Sequence, residues 1–245
     1  MNKYGLIGHP LTHSFSKRYF TDKFEKEQLT DCQYDLFDIS SINELSTILK
    51  NNPELKGLNV TIPYKETVMD LLDEIDEEAK QIGAVNTIKI EGEKLIGYNT
   101  DYFGFKQSLK PFVEISQERA LILGTGGASK AVCHALASLN INYLFVSRNP
   151  KNDNEISYED VNEYVLKHHQ IIVNTTPVGT FPSINEKPAI DYTQITSKHL
   201  LYDLVYNPTE TQFLKEGKQQ GAIVLNGYQM LQLQAEKAWE IWNNK

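Results

Sequence analysis

The stretch RALILGTGGASKAVCHALASLNINYLFVSRNP, residues 119–150, decides the architecture of this chain. An apolar run ending at Leu123 leads into a glycine loop, then a segment with apolar residues at helical spacing, then a second apolar run ending at Val146. That succession predicts strand, helix and parallel strand, a βαβ unit whose strands are covered on both faces. Gly124, Gly126 and Gly127 let the backbone turn tightly and approach a pyrophosphate, whose charge would rest on the free N–H groups of the helix opening at Ala128. The third glycine of the usual dinucleotide fingerprint has no literal match, so the strand-loop-helix context carries the reading against a merely tight turn.

The end of the second strand bears on which dinucleotide binds. NAD sites place an acid there, about 20 residues beyond the glycines, for the ribose 2′-hydroxyl. This chain offers Ser147, Arg148 and Lys151, a hydroxyl and two cations that suit a 2′-phosphate, so NADP is the expected cofactor. Two further strands end in IIVNTTPVGT (171–180) and LLYDLVYNPTET (200–211). Their loops lie beyond carboxyl ends of strands and are placed to touch the nicotinamide end of the cofactor.

The first hundred residues alternate in the same way. Strands are expected over 4–7 and 34–39, helices over 17–26 and 42–50, the latter capped by Ser40 or Ser41, and a hairpin over 85–90 and 95–98. In LNVTIPYKETV (58–68), Leu58, Val60 and Ile62 alternate with Asn59, Thr61 and Pro63, the period of a strand with one polar face. Pro63 then predicts a helix over 64–72 with Lys65 in its first turn. A cation there opposes the helix dipole by a few tenths to about 1 kcal/mol, which asks for a reason. The class is α/β, and a chain of 245 residues suits two domains.

Composition bounds the function. With 245 residues, 40% hydrophobic and 23% charged, the chain reads as an ordinary soluble globular protein. A net charge of −8 argues against nucleic acid or an anionic membrane as partner, so an anionic ligand must meet a local basic site. Two distant cysteines, Cys32 and Cys133, form neither a disulfide framework nor a metal spacing; reduced, buried thiols and no metal are expected. No targeting segment or 18-residue apolar run is visible, which suits a cytoplasmic enzyme. His9 and His13 lie in a polar loop without a matched carboxylate and are assigned no catalysis.

Taken in order, HSFSK (13–17), NVTIPYK (59–65), GAVNT (83–87), GYNTD (97–101), GTGGAS (124–129), VNTTPVG (173–179), DLVYNP (203–208) and GYQMLQLQA (227–235) resemble the shikimate dehydrogenase family over nearly the whole chain. The resemblance implies reversible, NADPH-dependent reduction of 3-dehydroshikimate to shikimate on the route to aromatic amino acids, by a metal-free monomer or homodimer. It implies two α/β domains with a cleft between them: a substrate domain over 1–101 and 227–245, its last helix covering a large apolar surface, and a Rossmann-like NADP domain over 102–226. Lys65 and Asp101 would be the catalytic pair, Lys65 steadying the oxyanion and supplying the proton. Ser14 and Ser16, facing one way in an extended loop, would hold the substrate carboxylate with Tyr206 nearby. Asn59, Thr61, Asn86 and Gln234 would hold its hydroxyls. Thr175, Val205, Gly227 and Met230 would meet the nicotinamide end.

The chain departs from the family at three places. Lys17 stands for a usual proline and could aid an anionic substrate, Ser147 and Asn149 flank Arg148 in place of asparagine and threonine, and Thr180 replaces a common methionine. Dual shikimate/quinate specificity, a reductase of another carbonyl, and a non-catalytic NADP-binding sensor are the alternatives.

Overall fold

The computed structural model describes residues 1–11 and 14–244, in two compact units, Met1–Asp101 with Gln234–Lys245 and Tyr102–Leu233. His13 lies outside the described residues. The first unit runs β1 (Asn2–Gly8), α1 (Phe15–Lys26), β2 (Cys32–Asp38), α2 (Leu45–Asn51), β3 (Leu55–Val60), β4 (Glu74–Ile75), α3 (Glu77–Ile82), β5 (Thr87–Glu91) and β6 (Lys94–Tyr98). One mixed sheet results, ordered β2-β1-β3-β5-β6-β4, with β1 parallel to both neighbours and β5 antiparallel to β3 and β6. The two-residue period of β1 sends Tyr4 and Leu6 into a layer with Phe20 and Phe24 of α1, and Ile7 into the opposite layer with Ile48 and Ala79. Ser41 caps the turn before α2 in a capping box with Glu44.

The second unit takes up α4 (Asp101–Leu109), β7 (Arg119–Leu123), α5 (Gly127–Ser138), β8 (Asn142–Val146), β9 (Glu155–Ile156), α6 (Glu163–His168), β10 (Ile171–Asn174), β11 (Leu200–Asp203), α7 (Gln212–Gln219), β12 (Ile223–Leu225) and α8 (Tyr228–Asn243), except that Asp101 and the residues of α8 from Gln234 onward count with the first unit. Its sheet is wholly parallel, ordered β12-β11-β10-β7-β8-β9. Alternation again splits the core: Ala120, Ile122, Ile171, Val173 and Tyr202 pack with α4, α5 and Met230, while Leu121, Leu123, Ile172 and Leu201 pack with Leu166, Phe213 and Leu214. Leu123, Val146, Asn174 and Asp203 form one register row at the carboxyl edge of four strands. Every loop singled out in this half of the sequence leaves from that row.

Residues 61–72 correct the expectation. The strand ends at Val60, Ile62 is 72% exposed, and in place of a helix over 64–72 there is only a 3-10 turn, Thr67–Leu71. The cause is a competing donor: the Lys65 carbonyl accepts the Val85 N–H at 2.8 Å, and the Met69 N–H, its helical partner, goes to Glu66. Lys65 therefore lies ahead of any helix, and the dipole argument against it lapses.

Candidate functional site

In the first unit the turn that carries Lys65 is tied to the segment that carries Asn86, because Val85 supplies the N–H that Lys65 accepts. Asn86 in turn accepts the Thr100 N–H on its side-chain oxygen at 2.7 Å, which fixes Asp101, the next residue, at the head of α4. An acid in a first turn is favoured by the helix dipole. These constraints close Lys65 Nζ on Asp101 Oδ2 at 2.7 Å, with side chains 23% and 13% exposed. The remaining N–H groups of the ammonium are free to meet an oxygen of a bound molecule.

Beside the pair lies a buried amide cluster. Asn86 Nδ2 donates to Thr100 Oγ1 at 3.0 Å and to Gln234 Oε1 at 3.1 Å. Asn59 accepts from the Tyr34 hydroxyl at 2.7 Å and donates toward Asn86 O and Thr87 Oγ1. Three residues implied by the motifs, Asn59, Asn86 and Gln234, thus share one network with Tyr34, Thr87 and Thr100, which sequence reasoning missed. Thr87 and Thr100 sat inside quoted motifs, whereas nothing local marked Tyr34. Thr61 follows β3, its N–H donating to Ile7 O.

The serine pair departs from expectation. Ser14 is the N-cap of α1, accepting the Lys17 N–H at 3.1 Å, and Ser16 is the second residue of that helix, so the two do not share an extended loop. Lys17 is engaged within the chain: its ammonium donates to the Tyr34 carbonyl and pairs with Asp35 at 3.3 Å. His9 also differs, for Nδ1 meets Asp38 Oδ1 at 2.6 Å, a matched carboxylate after all. The Leu11 N–H, then His9, hold Asp38 below the usual carboxylate range. Cys32 and Cys133 are free thiols but half-buried rather than enclosed, and burial pushes Cys32 up to about 11.

The second unit holds a cavity of about 900 Å³ at its carboxyl edge, lined by Gly124, Gly126, Ser147, Arg148, Lys151 and Thr175 of the expected cofactor residues. Gly124 is required there: φ is +103°, and a Cβ would stand 2.7 Å from Thr176 Cγ2. Over Gly126 and Gly127 a Cβ would meet nothing within 4 Å, and no side chain caps the helix that starts beneath them. Ala128 follows in the first turn of that helix. The Arg148 and Lys151 side chains make no ion pair among the described residues. Of the two acids that line this wall, Glu155 and Glu186, Glu155 is occupied by the Lys151 N–H at 3.0 Å and the Asn152 amide at 2.6 Å. Bare helix N–H groups beside unpaired cations fit a phosphorylated dinucleotide.

Val205, Gly227 and Met230 are not part of this cavity wall. The Gly227 N–H donates to Val205 O at 3.2 Å, a Cβ on Gly227 would collide with the Leu204 carbonyl, and Met230 is 7% exposed in the core. Tyr206 is half-buried just beyond β11, and Thr180 Oγ1 reaches Asn207 O at 3.4 Å. The wall residues that sequence reasoning did not reach include Tyr158, Glu186 and Pro188, which come from segments without a motif. Among the described residues no group of three or more His, Cys, Asp or Glu could hold a metal ion, and no helix is long and apolar enough to cross a membrane.

Residues 6–88 match the sequence profile of the shikimate dehydrogenase substrate binding domain. A shikimate dehydrogenase (NADP(+)) of Methanosphaera stadtmanae is 38% identical, covering 98% of this chain and 91% of that one. Among solved structures, a chorismate mutase/shikimate 5-dehydrogenase fusion protein from Clostridium acetobutylicum matches with a TM-score of 0.89 at 38% identity, covering 100% of this chain and 92% of that one. The shikimate 5-dehydrogenase of Thermus thermophilus in complex with NADP(H) and shikimate matches with 0.86 at 30% identity, over 100% and 94%. Identity of this size along nearly the whole chain, on the same two-sheet architecture, places the chain in the shikimate dehydrogenase family.

Proposed function

We propose that this chain interconverts 3-dehydroshikimate and shikimate with NADP(H), and the observation that carries the reading is the Lys65–Asp101 pair closed at 2.7 Å beside the buried Asn59, Asn86 and Gln234 amides. A ring bearing several hydroxyls needs donors and acceptors in fixed positions, and three buried amides with shared partners supply them. NADPH, when bound, supplies the hydride. The first unit, residues 1–101 with 234–245, takes the substrate, and the second, residues 102–233, takes the cofactor.

As the carbonyl becomes an alcohol, charge grows on its oxygen. The Lys65 ammonium stabilises that charge and then releases a proton to it. Asp101 aims the ammonium and accepts from a neighbouring substrate hydroxyl. Asn59, Thr61, Asn86 and Gln234 orient the ring, and Ser14, Ser16 and Tyr206 meet its carboxylate. On the cofactor side the N–H groups opening α5 take the pyrophosphate beside Gly124, Gly126, Gly127 and Ala128. Ser147, Arg148 and Lys151 take the 2′-phosphate, and Thr175, Val205, Gly227 and Met230 the nicotinamide end. The enzyme works in the cytoplasm as a monomer or homodimer.

The test is direct. Purified protein with shikimate and NADP should raise absorbance at the reduced-nicotinamide band, with a larger kcat/KM for shikimate than for quinate and for NADP than for NAD. No rise with shikimate would sink the reading, and equal rates with quinate would make the enzyme dual-specific.

A further inference from the structure

Asn59 can be assigned atom by atom. Its amide contacts Asn86 O at 3.4 Å, Thr87 Oγ1 at 3.3 Å and the Tyr34 hydroxyl at 2.7 Å. A carbonyl oxygen can only accept, so the Asn59 nitrogen must face Asn86, and its oxygen therefore faces Tyr34. The phenol is left with one role, which is to donate. Both N–H groups of Asn59 are then directed inward, and its outward valence is the second lone pair of Oδ1. Such a lone pair takes a hydroxyl that donates, and rejects an oxygen that can only accept.

We propose that Tyr34 is a positioning residue for substrate recognition, its hydroxyl locking Asn59 so that Oδ1 reads one ring hydroxyl of the substrate as a donor. The proposal rests on the shikimate reading above. Tyr34 is built to hold still: its ring stacks on Phe20 at 4.7 Å and 12°, lies 6.5 Å from Trp242, and its carbonyl accepts from the Lys17 ammonium. It is 2% exposed, and burial drives its phenol far above the ordinary range, so it stays a donor at every working pH. Lys17, where related chains are expected to carry proline, adds the anchor on the Tyr34 carbonyl.

The test is Tyr34→Phe in the full chain, which keeps the ring and removes only the donor. KM for shikimate should rise about tenfold, the worth of one buried hydrogen bond, with kcat changed less than about threefold and KM for NADP unchanged. Among shikimate analogues with a single ring hydroxyl replaced by fluorine, the one penalised most by wild type should lose its extra penalty in Tyr34→Phe. A lower melting temperature with unchanged KM for shikimate overturns the proposal, since a filler would give that result. Should Tyr34→Phe fail to fold, site-specific 3-fluorotyrosine at position 34 strengthens the donor in place. KM should then fall, and an unchanged KM overturns the proposal. A wild type inert toward shikimate brings down the dehydrogenase reading and this proposal with it. An active wild type beside an unaltered Tyr34→Phe brings down this proposal alone.

Discussion

In the first unit Lys65 is closed on Asp101, and Asn59, Asn86 and Gln234 share their amides with Tyr34, Thr87 and Thr100. In the second, Arg148 and Lys151 stand along an open cavity with no ion pair among the described residues. The contrast follows from what each half must recognise. A pattern of neutral hydroxyls is distinguished only by donors and acceptors held in place, and holding them requires burial with every partner supplied. A phosphate is recognised by charge, which acts over distance and tolerates a mobile cation. Function in the first unit should therefore fail steeply on loss of single atoms, and in the second more gradually.

The largest effect expected is at Lys65. Lys65→Ala should lower kcat by about 10²–10⁴-fold, the usual worth of a positioned acid or base, with kcat/KM falling alike. Lys65→Arg should not rescue it, because arginine keeps the charge but gives up no proton and carries a broader head. Steady-state kinetics decide: full activity in the arginine variant would leave only charge, and near-normal kcat in a folded alanine variant would make Lys65 a surface lysine.

Asp203 is the exception that tests the contrast, an enclosed carboxyl in the more open unit. It accepts from Asn174 Nδ2 and the Val205 N–H, both at 3.0 Å, and from Thr211 Oγ1 at 2.6 Å, yet burial outweighs these bonds and raises it from 3.8 to about 6. Below about pH 4 the group is neutral folded and unfolded, so it costs nothing. From there to about pH 6 the unfolded chain releases a proton that the folded chain retains, and stability falls as pH rises; above that the cost is constant, up to about 3 kcal/mol. Asp203→Asn should remove the slope. Its melting temperature should exceed wild type at about pH 8, the gain vanishing near pH 4. A variant that melts lower at the higher pH would show the three bonds matter more than the buried charge.

The cofactor wall should respond by a smaller factor. Arg148→Asp should weaken NADPH by about 10- to 100-fold, through loss of a charge-assisted contact and added repulsion, while leaving NADH nearly unchanged. Equal losses for both cofactors would move the 2′-phosphate away from Arg148.

The same contrast explains what the sequence could disclose. The βαβ stretch was legible because its signals are local: apolar runs, glycines and helical spacing fall within 32 consecutive residues, 119–150. The paired Lys65 and Asp101 came from motif resemblance, since 36 positions separate them. Tyr34 could not be read, because its tie to Asn59 spans 25 positions and a tyrosine on the buried face of an alternating strand looks like core. The helix expected over 64–72 failed for a related reason. Val85 takes the carbonyl that the helix needed, and no propensity within the segment reveals a competitor 20 positions away. His9 and Asp38, 29 apart, escaped in the same way.

The smallest effect separates two duties of one hydroxyl. Ser14 caps α1 through the Lys17 N–H, a bond that a proline at position 17 could not make. If Ser14 also meets the substrate carboxylate, losing its hydroxyl costs stability and binding together, and Ser14→Ala alone cannot tell them apart. Glycine resolves them, because it replaces a serine cap at a cost of only a few tenths of a kcal/mol, whereas alanine costs about 1. Ser14→Ala and Ser14→Gly should raise KM for shikimate by the same few-fold factor and leave KM for NADP unchanged. Only the alanine variant should melt measurably lower. If both keep the parental KM while alanine alone lowers the melting temperature, Ser14 is a cap and nothing more, and recognition of the carboxylate passes to Ser16 and Tyr206.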